Sequence, residues 1–345
     1  MTSAAPNLGM PNLEMAEEGS SPRYRKWRSL VSTAFGGATG SIAITLVTVL
    51  LVALFWVGTE FYSTANLTII GAAVTVPLLI GTCSGFALLA GVVDLSIGSC
   101  AGVCAAIFAY LTVHHWGGWQ AGAIVLLAGL AIGSVNAVAI VGLGANPLAA
   151  TLGTLTGLLG LQYVITGQDG LITSLLPGLY SFSNRQLGPL PLIFVLVVVV
   201  VGVAYYIVSF SRLGRHIRAV GGDEVAAARA GIRVKRLRVG ALLLSSLGAS
   251  VAGLIYIGQQ GGASNTLATD ITFQVYAALM IGGYSIIRGG VGNPLGGAMG
   301  LLVIAGVTEI ISVKAINTYY TDVVIGALLL AAVFLDRLRG GDEFE

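Results

Sequence analysis

The sequence predicts an all-α membrane protein, a polytopic bundle of about ten transmembrane helices. The first observation behind this prediction is composition, because a mean hydropathy of +0.90 with 9% charged residues is too apolar for a water-soluble core. The second is the spacing of the charges, which leaves uncharged runs long enough for the roughly 20 residues of a spanning helix. The third is the clustering of Lys and Arg in a few segments between these runs.

The apolar runs and the turn signals between them define the individual helices. The run at 95–168 is long enough for three spans, and breaks at 114–120 and 142–147 divide it. Within the spans, Gly133 and Gly157 are among the small residues expected to let neighbouring helices approach closely. We predict helices at about 41–58, 67–90, 97–115, 120–142, 147–167, 191–210, 238–258, 272–288, 294–311 and 319–336.

The distribution of cationic residues predicts the orientation. With the N-terminus in the cytoplasm, 15 of the 17 Lys and Arg residues fall on the cytoplasmic side, which retains cationic loops. Both termini are then cytoplasmic. The predicted organisation is a disordered tail at 1–40, a transmembrane domain at 41–337 that includes a cytoplasmic loop at 211–238, and a short tail at 338–345.

The loop at 211–238 is the one substantial charged segment between two spans. Within it, 219–232 is predicted to form a short helix, because Gly222 or Asp223 can cap its start, alanines favour its interior and Gly231 can end it. Acidic residues in its first turn and a basic residue near its end favour it further. Such a helix suits docking into another protein. The alternative is a solvated loop whose cations only fix topology or contact anionic lipid.

Asp94 is the acidic residue of the first three spans that lies near the hydrocarbon. A carboxylate at the bilayer centre costs about 2.5 to 3.5 kcal/mol, so its presence needs a reason. One interpretation places Asp94 at the cytoplasmic end of a solute path. The favoured one makes Asp94 or Ser96 the N-cap of the next helix, at the inner interface, where the cost is small.

Three segments, at 91–99, 146–154 and 214–232, carry a resemblance to a known family. They are similar, in matching order, to the Asp-Leu-Ser-Val-Gly-Ser signature, the Pro-Phe-Ile-Ala-Thr-Leu-Gly-Thr segment and the cytoplasmic coupling loop of ribose-type ABC permeases. These permeases import monosaccharides delivered by a binding protein. The resemblance departs at 282–290, where bulkier residues and a cation replace the family's Gly-Gly-Thr-Ser-Leu-Ser-Gly-Gly, so it does not identify the solute.

The resemblance implies an ABC importer permease-like fold and a permease subunit for a sugar or a similar small polar solute. It also implies that the loop at 211–238 couples the permease to ATPase subunits. The candidate coupling residues are Gly221, Gly222, Asp223, Glu224, Ala226, Ala227, Arg229 and Gly231. Polarity within the spans gives candidates for the solute path, although no spacing rule selects among them. These are Asp94, Ser96, Ser99, Asn136, Thr151, Thr154, Gln162 and Gln274, with Gln259 as a further one.

The chain is predicted to be a transport subunit and not an enzyme, since it contains no G-x-x-x-x-G-K-[ST] phosphate loop. We expect no catalytic residue, cofactor or metal on this chain, with ATP and Mg bound by separate ATPase subunits. The resemblance implies a periplasmic or lipid-anchored solute-binding protein, and a second copy of the permease or a sister permease. The setting is then the bacterial inner membrane, with lipid and no nucleic acid among the partners.

Other functions are compatible with the sequence. A secondary transporter driven by protons or sodium would be expected to show ionisable residues deep in the spans, of which this chain has almost none. A channel or membrane scaffold would leave the helix in the basic loop unexplained. Within the ABC importers, the solute could instead be autoinducer-2, a nucleoside or a branched-chain amino acid.

Overall fold

The computed structural model describes residues 63–167, 170–172, 177–263, 267–315, 317 and 319–339. In this part of the chain the helices are α1 (Thr64–Leu89), α2 (Ile97–Val113), α3 (Gly118–Ala137), α4 (Pro147–Thr166), α5 (Pro177–Ser183), α6 (Leu192–Phe210), α7 (Arg212–Gly222), α8 (Glu224–Arg229), α9 (Val234–Gln260), α10 (Leu267–Ile281), α11 (Pro294–Val313) and α12 (Tyr319–Arg339). A π-helical turn, Val138–Gly142, extends α3. Two antiparallel strand pairs join β1 (Leu171–Ile172) to β4 (Gly262–Ala263) and β2 (Gln186–Leu187) to β3 (Leu190–Pro191).

The helical bundle is confirmed, because every predicted span from 67–90 onwards overlaps a helix of the structure. The predicted span at 41–58 lies outside the described residues. By length and composition, six helices of the described part can cross a membrane: α1, α3 with its π turn, α4, α6, α9 and α11. The apolar helices Ile97–Val113, Ile271–Ile281 and Tyr319–Phe334 are shorter. The count of ten spans therefore stays a prediction.

Helices α1 and α9 form the centre of the bundle. They pack against each other, α9 also packs against α2 and α3, and α1 also packs against α6 and α11. Small residues make these contacts close: a Cβ atom at Gly248 would collide with the side chain of Cys83, and one at Gly133 would lie 2.9 Å from Ser246 Oγ. At Gly157 on α4, no other helix of the described part of the chain comes close, so the predicted contact is not seen there among these residues.

The outward faces of the peripheral helices are apolar. On α6, Val199, Val203 and Tyr206 are exposed, whereas Val197 and Val201 point into the bundle and are buried. Water-soluble proteins seldom leave large contiguous apolar surfaces uncovered. The surface of α6 therefore fits the lipid-facing role that the composition predicts.

Two predicted boundaries are wrong. The span predicted at 272–288 ends at Ile281, and the chain from 282 to 293 is irregular, with φ of +93° at Gly283 and +79° at Gly290. These glycines adopt a backbone conformation that is strained for other residues, and it interrupts the helix. The span predicted to begin at 238 begins at Val234, so the connection predicted at 211–238 contains α7, α8 and the first residues of α9.

Candidate functional site

The basic segment, 211–238, folds around a break at Asp223. Asp223 Oδ1 accepts a hydrogen bond of 2.9 Å from the backbone N–H of Ala226 and so caps α8. Gly231, with φ of +81°, lies just beyond the end of α8. The predicted cap and stop are confirmed, but the single helix predicted over 219–232 is wrong. Asp223 has extended backbone angles, so 219–222 finish α7 before α8 begins.

The end of α7 is seated against the backbone of two other elements. Gly221 contacts the carbonyl oxygen of Leu89 and the nitrogen of Gly290 so closely that a Cβ atom has no room. Gly290 N in turn donates to Leu89 O at 3.0 Å. Arg218 Nη2 donates to the carbonyl of Gly292 at 3.0 Å. These contacts tie α7 to the end of α1 and to the irregular chain after α10.

Helix α8 is held to the bundle by an ion pair and an apolar contact. Arg238 Nη1 lies 2.6 Å from Glu224 Oε2, and Arg238 Nε donates to the carbonyl of Ala90 at 3.3 Å. Ala227 is buried in a small apolar cluster with Val234. A shift of α8 would therefore act on α9, which carries Arg238, and on the end of α1.

The remaining surface of α8 faces outward. Val225 is 57% exposed, an unusual position for a valine at an aqueous surface. Gly221 is half-buried and Ala227 is buried, so these two predicted coupling residues support the segment from inside. The exposed ones are Gly222, Asp223, Glu224, Ala226, Arg229 and Gly231. An exposed apolar residue surrounded by polar ones is a feature of protein interaction surfaces.

Asp94 lies at the centre of a polar network that is buried inside the bundle. Its carboxylate is fully buried and accepts hydrogen bonds from Ser96 N (3.1 Å), Ser96 Oγ (2.6 Å) and Ser245 Oγ (2.8 Å). Asn136 Nδ2 donates to Ser96 Oγ at 2.8 Å and lies 3.4 Å from Asp94 Oδ1. Thr154 Oγ1 donates to Asn136 Oδ1 at 2.7 Å. The network thus connects the α1–α2 turn to α3, α4 and α9.

The backbone around Asp94 is fixed from α10. Tyr276 Oη accepts from Asp94 N at 2.9 Å and donates to Asp94 O at 2.7 Å, and Thr272 Oγ1 accepts from Gly98 N at 3.1 Å. Ser96 occupies the N-cap position of α2, but its hydroxyl makes no capping bond. The interpretation of Asp94 as a helix cap at the inner interface is therefore wrong, because its carboxylate is buried inside the bundle and is bonded to Ser96 and Ser245.

Most of the chain matches one known protein family. Residues 67–333 match the family described as branched-chain amino acid transport system / permease component. The chain belongs to this family. The match covers nearly all of the described helices and includes both the basic segment and the Asp94 network. No solved structure is significantly similar to this permease.

Three relatives with stated activities are similar to the permease over most of its length. The D-allose transport system permease protein AlsC of Escherichia coli is 31% identical over 280 residues, which cover 81% of this chain and 85% of the relative. The ribose import permease protein RbsC of Haemophilus influenzae is 28% identical over 284 residues, covering 81% and 88%. The autoinducer 2 import system permease protein LsrD of Klebsiella pneumoniae is 30% identical over 277 residues, covering 79% and 81%. The resemblance to ribose-type permeases is confirmed.

The other predicted path residues of the permease are dispersed. Ser99 Oγ donates to the Ser96 carbonyl at 2.9 Å, so it adjoins the network, whereas Thr151 Oγ1 bonds to the Pro147 carbonyl of its own helix at 2.8 Å. Gln162 is buried near the far end of α4, and Gln274 lines a separate cavity beside α1. Sequence reasoning missed Ser245, Thr272 and Tyr276. The available signal was weak: each is an isolated polar group in an apolar helix.

The departure of the permease from the family pattern at 282–290 has a structural counterpart. Tyr284 is only 2% exposed. A Cβ atom at Gly85 would lie 2.7 Å from Tyr284 Oη, and one at Gly297 would lie 3.1 Å from its ring. The ring therefore fills a space that glycines of α1 and α11 leave open. Burial also raises the pKa of the Tyr284 phenol above its ordinary value.

Proposed function

We propose that this chain is the membrane-spanning subunit of an ABC importer for a monosaccharide or a monosaccharide-like solute. Separate ATPase subunits bind ATP and Mg and drive the permease through the basic segment. A periplasmic or lipid-anchored binding protein delivers the solute, and a second copy or a sister permease completes the assembly. The family match and the names of the allose, ribose and autoinducer 2 relatives support this proposal.

The observation that carries the proposal is the exposed surface of α8 on a firmly anchored base. The Arg238–Glu224 ion pair and the contact of Gly221 with Leu89 connect this surface to α9 and α1, the two central helices. Closure of two ATPase subunits would move α8 and change the tilt of these helices. The solute path would then open alternately to the two sides of the membrane. A lipid-binding or purely topological loop would not need this anchoring.

We further propose ten spans in the bacterial inner membrane, with both termini in the cytoplasm. The cationic basic segment supports this orientation. The position of α12 agrees with it, because Asp336 Oδ2, near the end of α12, accepts from Ser285 Oγ at 2.8 Å. Ser285 belongs to the irregular chain that also contacts α7, so the C-terminal end of α12 and the basic segment lie at the same end of the bundle.

The test is to place a cation on the exposed face of α8. Val225→Arg is expected to weaken association with the ATPase subunits at least about tenfold, since desolvating a charge in a packed interface costs more than about 1.4 kcal/mol. The matched control is Val313→Arg at the end of α11, where the valine is 42% exposed and lies at the opposite end of the bundle. Co-purification of the assembled importer and its solute-stimulated ATPase activity are the two readouts.

The control is expected to keep both readouts within about twofold of the parent protein. Unchanged co-purification and ATPase activity in Val225→Arg would show that α8 does not contact the ATPase subunits. If a proton or sodium gradient drives uptake into vesicles without ATP, the chain is a secondary transporter and the ABC proposal is wrong.

A further inference from the structure

Two adjoining cavities lie beside α1, remote from the basic segment. The larger one has a volume of about 500 Å³, and the smaller one, about 50 Å³, forms a recess beyond it. They share Ala73, Pro77 and Gln274 as lining residues. Pro77 is twelve residues before Leu89, the contact of α7, which corresponds to about 18 Å along a helix. The cavities therefore belong to the end of the bundle that faces away from the proposed ATPase site.

Amide groups dominate the polar lining. Gln259 Nε2 donates to the Ala72 carbonyl at 3.2 Å, which fixes its side chain, while its amide oxygen accepts no hydrogen bond from the described residues. The half-buried Gln274 amide has no hydrogen-bond partner in the described part of the chain. Asn184 is held by its donation to the Gly258 carbonyl at 3.0 Å. A primary amide offers both a hydrogen-bond donor and an acceptor, and so does a hydroxyl group. Amides therefore suit a ligand that carries hydroxyl groups.

Pro77 adds an acceptor to this lining. It stands inside α1 and has no N–H, so it cannot give the helical hydrogen bond to the carbonyl of Ala73. Ala73, whose carbonyl lacks that helical partner, lines both cavities. The ring of Tyr256 and the side chain of Ile271 supply an aromatic and an aliphatic wall to the larger cavity. Ligand sites commonly combine such apolar walls with a few polar groups.

The charges of the lining exclude some ligand classes. Among the described residues that line the two cavities, none is Lys, Arg or His, and Glu309 is the one acid. A phosphorylated solute or an amino-acid carboxylate would find no cation to balance its charge. A neutral solute rich in hydroxyl groups would find amides, a carboxylate and a carbonyl.

We propose that these cavities are a solute site for a neutral monosaccharide, with Gln274 at the junction of the two cavities as the main hydrogen-bonding residue. Glu309 and Thr308 line the smaller cavity, and their side-chain oxygens are of a type that accepts hydrogen bonds from hydroxyl groups. The proposal rests on the proposed function, because the solute is taken to enter at the end opposite the ATPase subunits. It adds to that function the place in the fold where the solute binds and the side chains that bind it.

The test measures occupancy of the recess in the assembled importer, reconstituted in liposomes. Thr308→Cys supplies a reporter thiol for a membrane-impermeant thiol reagent, and Cys83, Cys100 and Cys104 are buried, so the parent protein serves as the blank. D-allose and D-ribose are the probes, and L-leucine, a zwitterion that carries a carboxylate, is the comparison ligand. At a sugar concentration about ten times the dissociation constant, labelling is expected to slow about tenfold by mass action.

A second variant tests the role of Gln274. In the Thr308→Cys background, Gln274→Leu is expected to remove the protection, whereas Gln120→Leu at the start of α3, outside both cavities, is expected to keep it. Equal labelling with and without either sugar, protection by L-leucine alone, or protection that survives Gln274→Leu would overturn the proposal. ATP-dependent uptake by the parent importer is measured in parallel. Its absence would contradict the proposed function, while intact uptake without protection would contradict only the cavity assignment.

Discussion

Removing the carboxylate of Asp94 is expected to destabilise the whole bundle. The side chain is fully buried, and it accepts hydrogen bonds from the Ser96 backbone N–H, the Ser96 hydroxyl and the Ser245 hydroxyl. Asp94→Ala removes every one of these acceptors at once. Asp94→Asn keeps the shape and one acceptor oxygen, and its new NH2 group can donate to the Ser245 hydroxyl.

The loss of stability in Asp94→Ala depends on the hydrogen-bond donors that are left without an acceptor. A buried donor without an acceptor costs about 1–3 kcal/mol, and hydroxyl groups can partly escape by rotating toward other acceptors. The Ser96 N–H cannot rotate, and the Ser245 hydroxyl has lost its partner. Relief from burying a carboxylate offsets part of the loss, which leaves about 2–4 kcal/mol for Asp94→Ala. Asp94→Asn should cost less than about 1.5 kcal/mol.

Thermal unfolding of the purified chain in detergent measures the difference. At roughly 2 °C per kcal/mol for a chain of this size, Asp94→Ala should lower the midpoint by about 4–8 °C and Asp94→Asn by less than about 3 °C. Asp322→Ala is the matched control, because Asp322 is exposed in the first turn of α12 and contributes less than about 1 kcal/mol there. Scan rate is held constant, since membrane proteins often unfold irreversibly.

Two results would refute this reasoning. An Asp94→Ala midpoint within about 2 °C of the parent would show that the network adds little to stability. An Asp94→Asn midpoint as low as that of Asp94→Ala would show that the negative charge matters, and not the hydrogen bonds.

Two further substitutions test the contacts around the irregular chain after α10. Tyr284→Ala should lower the free energy of unfolding by about 3–5 kcal/mol, because it empties the space beside Gly85 and Gly297. Tyr284→Phe keeps the ring and should lower it by less than about 1.5 kcal/mol. Equal thermal unfolding midpoints for the two variants would contradict this packing. Gly221→Ala forces a methyl group into the backbone of α1 and should lower solute-stimulated ATPase activity of the assembled importer at least about fivefold. Gly240→Ala is the control, because a Cβ atom there meets no other described residue within 4 Å, and it should keep the ATPase activity. Equal loss of activity in the two variants would remove the Gly221 contact from the coupling mechanism.

Helix positions could be predicted from the sequence because they depend on local properties. Apolar length, turn residues and cationic flanks act within a few residues of one another. Eight of the later predicted spans therefore coincide with helices that begin and end close to the predicted positions. The span at 272–288 was different. Its apolar composition continues past Ile281, but the chain leaves the helix there and packs closely at glycines, Gly282 against Gly296 and Gly289 against Gly221. Those contacts depend on the tertiary structure.

The basic segment and the Asp94 network differ in how far the sequence predicts them, for the same reason. The cap at Asp223 and the stop at Gly231 involve neighbours in sequence, and both were predicted correctly. The partners of Asp94 are remote: Ser245 is 151 residues away and Tyr276 is 182 residues away. Nothing in an isolated sequence distinguishes these residues from other polar groups in apolar helices.

The central helices explain how events at one end of the bundle can reach the other. Helix α1 contacts α7 at Leu89 and lines the cavities at Ala73 and Pro77, while α9 bonds to α8 through Arg238 and reaches the larger cavity at Gln259. The distance along α9 between these last two residues is about 31 Å. Because each helix runs from the basic segment to the cavities, a shift imposed at the basic segment changes the cavity lining unless the helix bends in between. Pro77 is the one place in α1 where the helical hydrogen bonding is interrupted, so we expect the cavity end of α1 to respond there first.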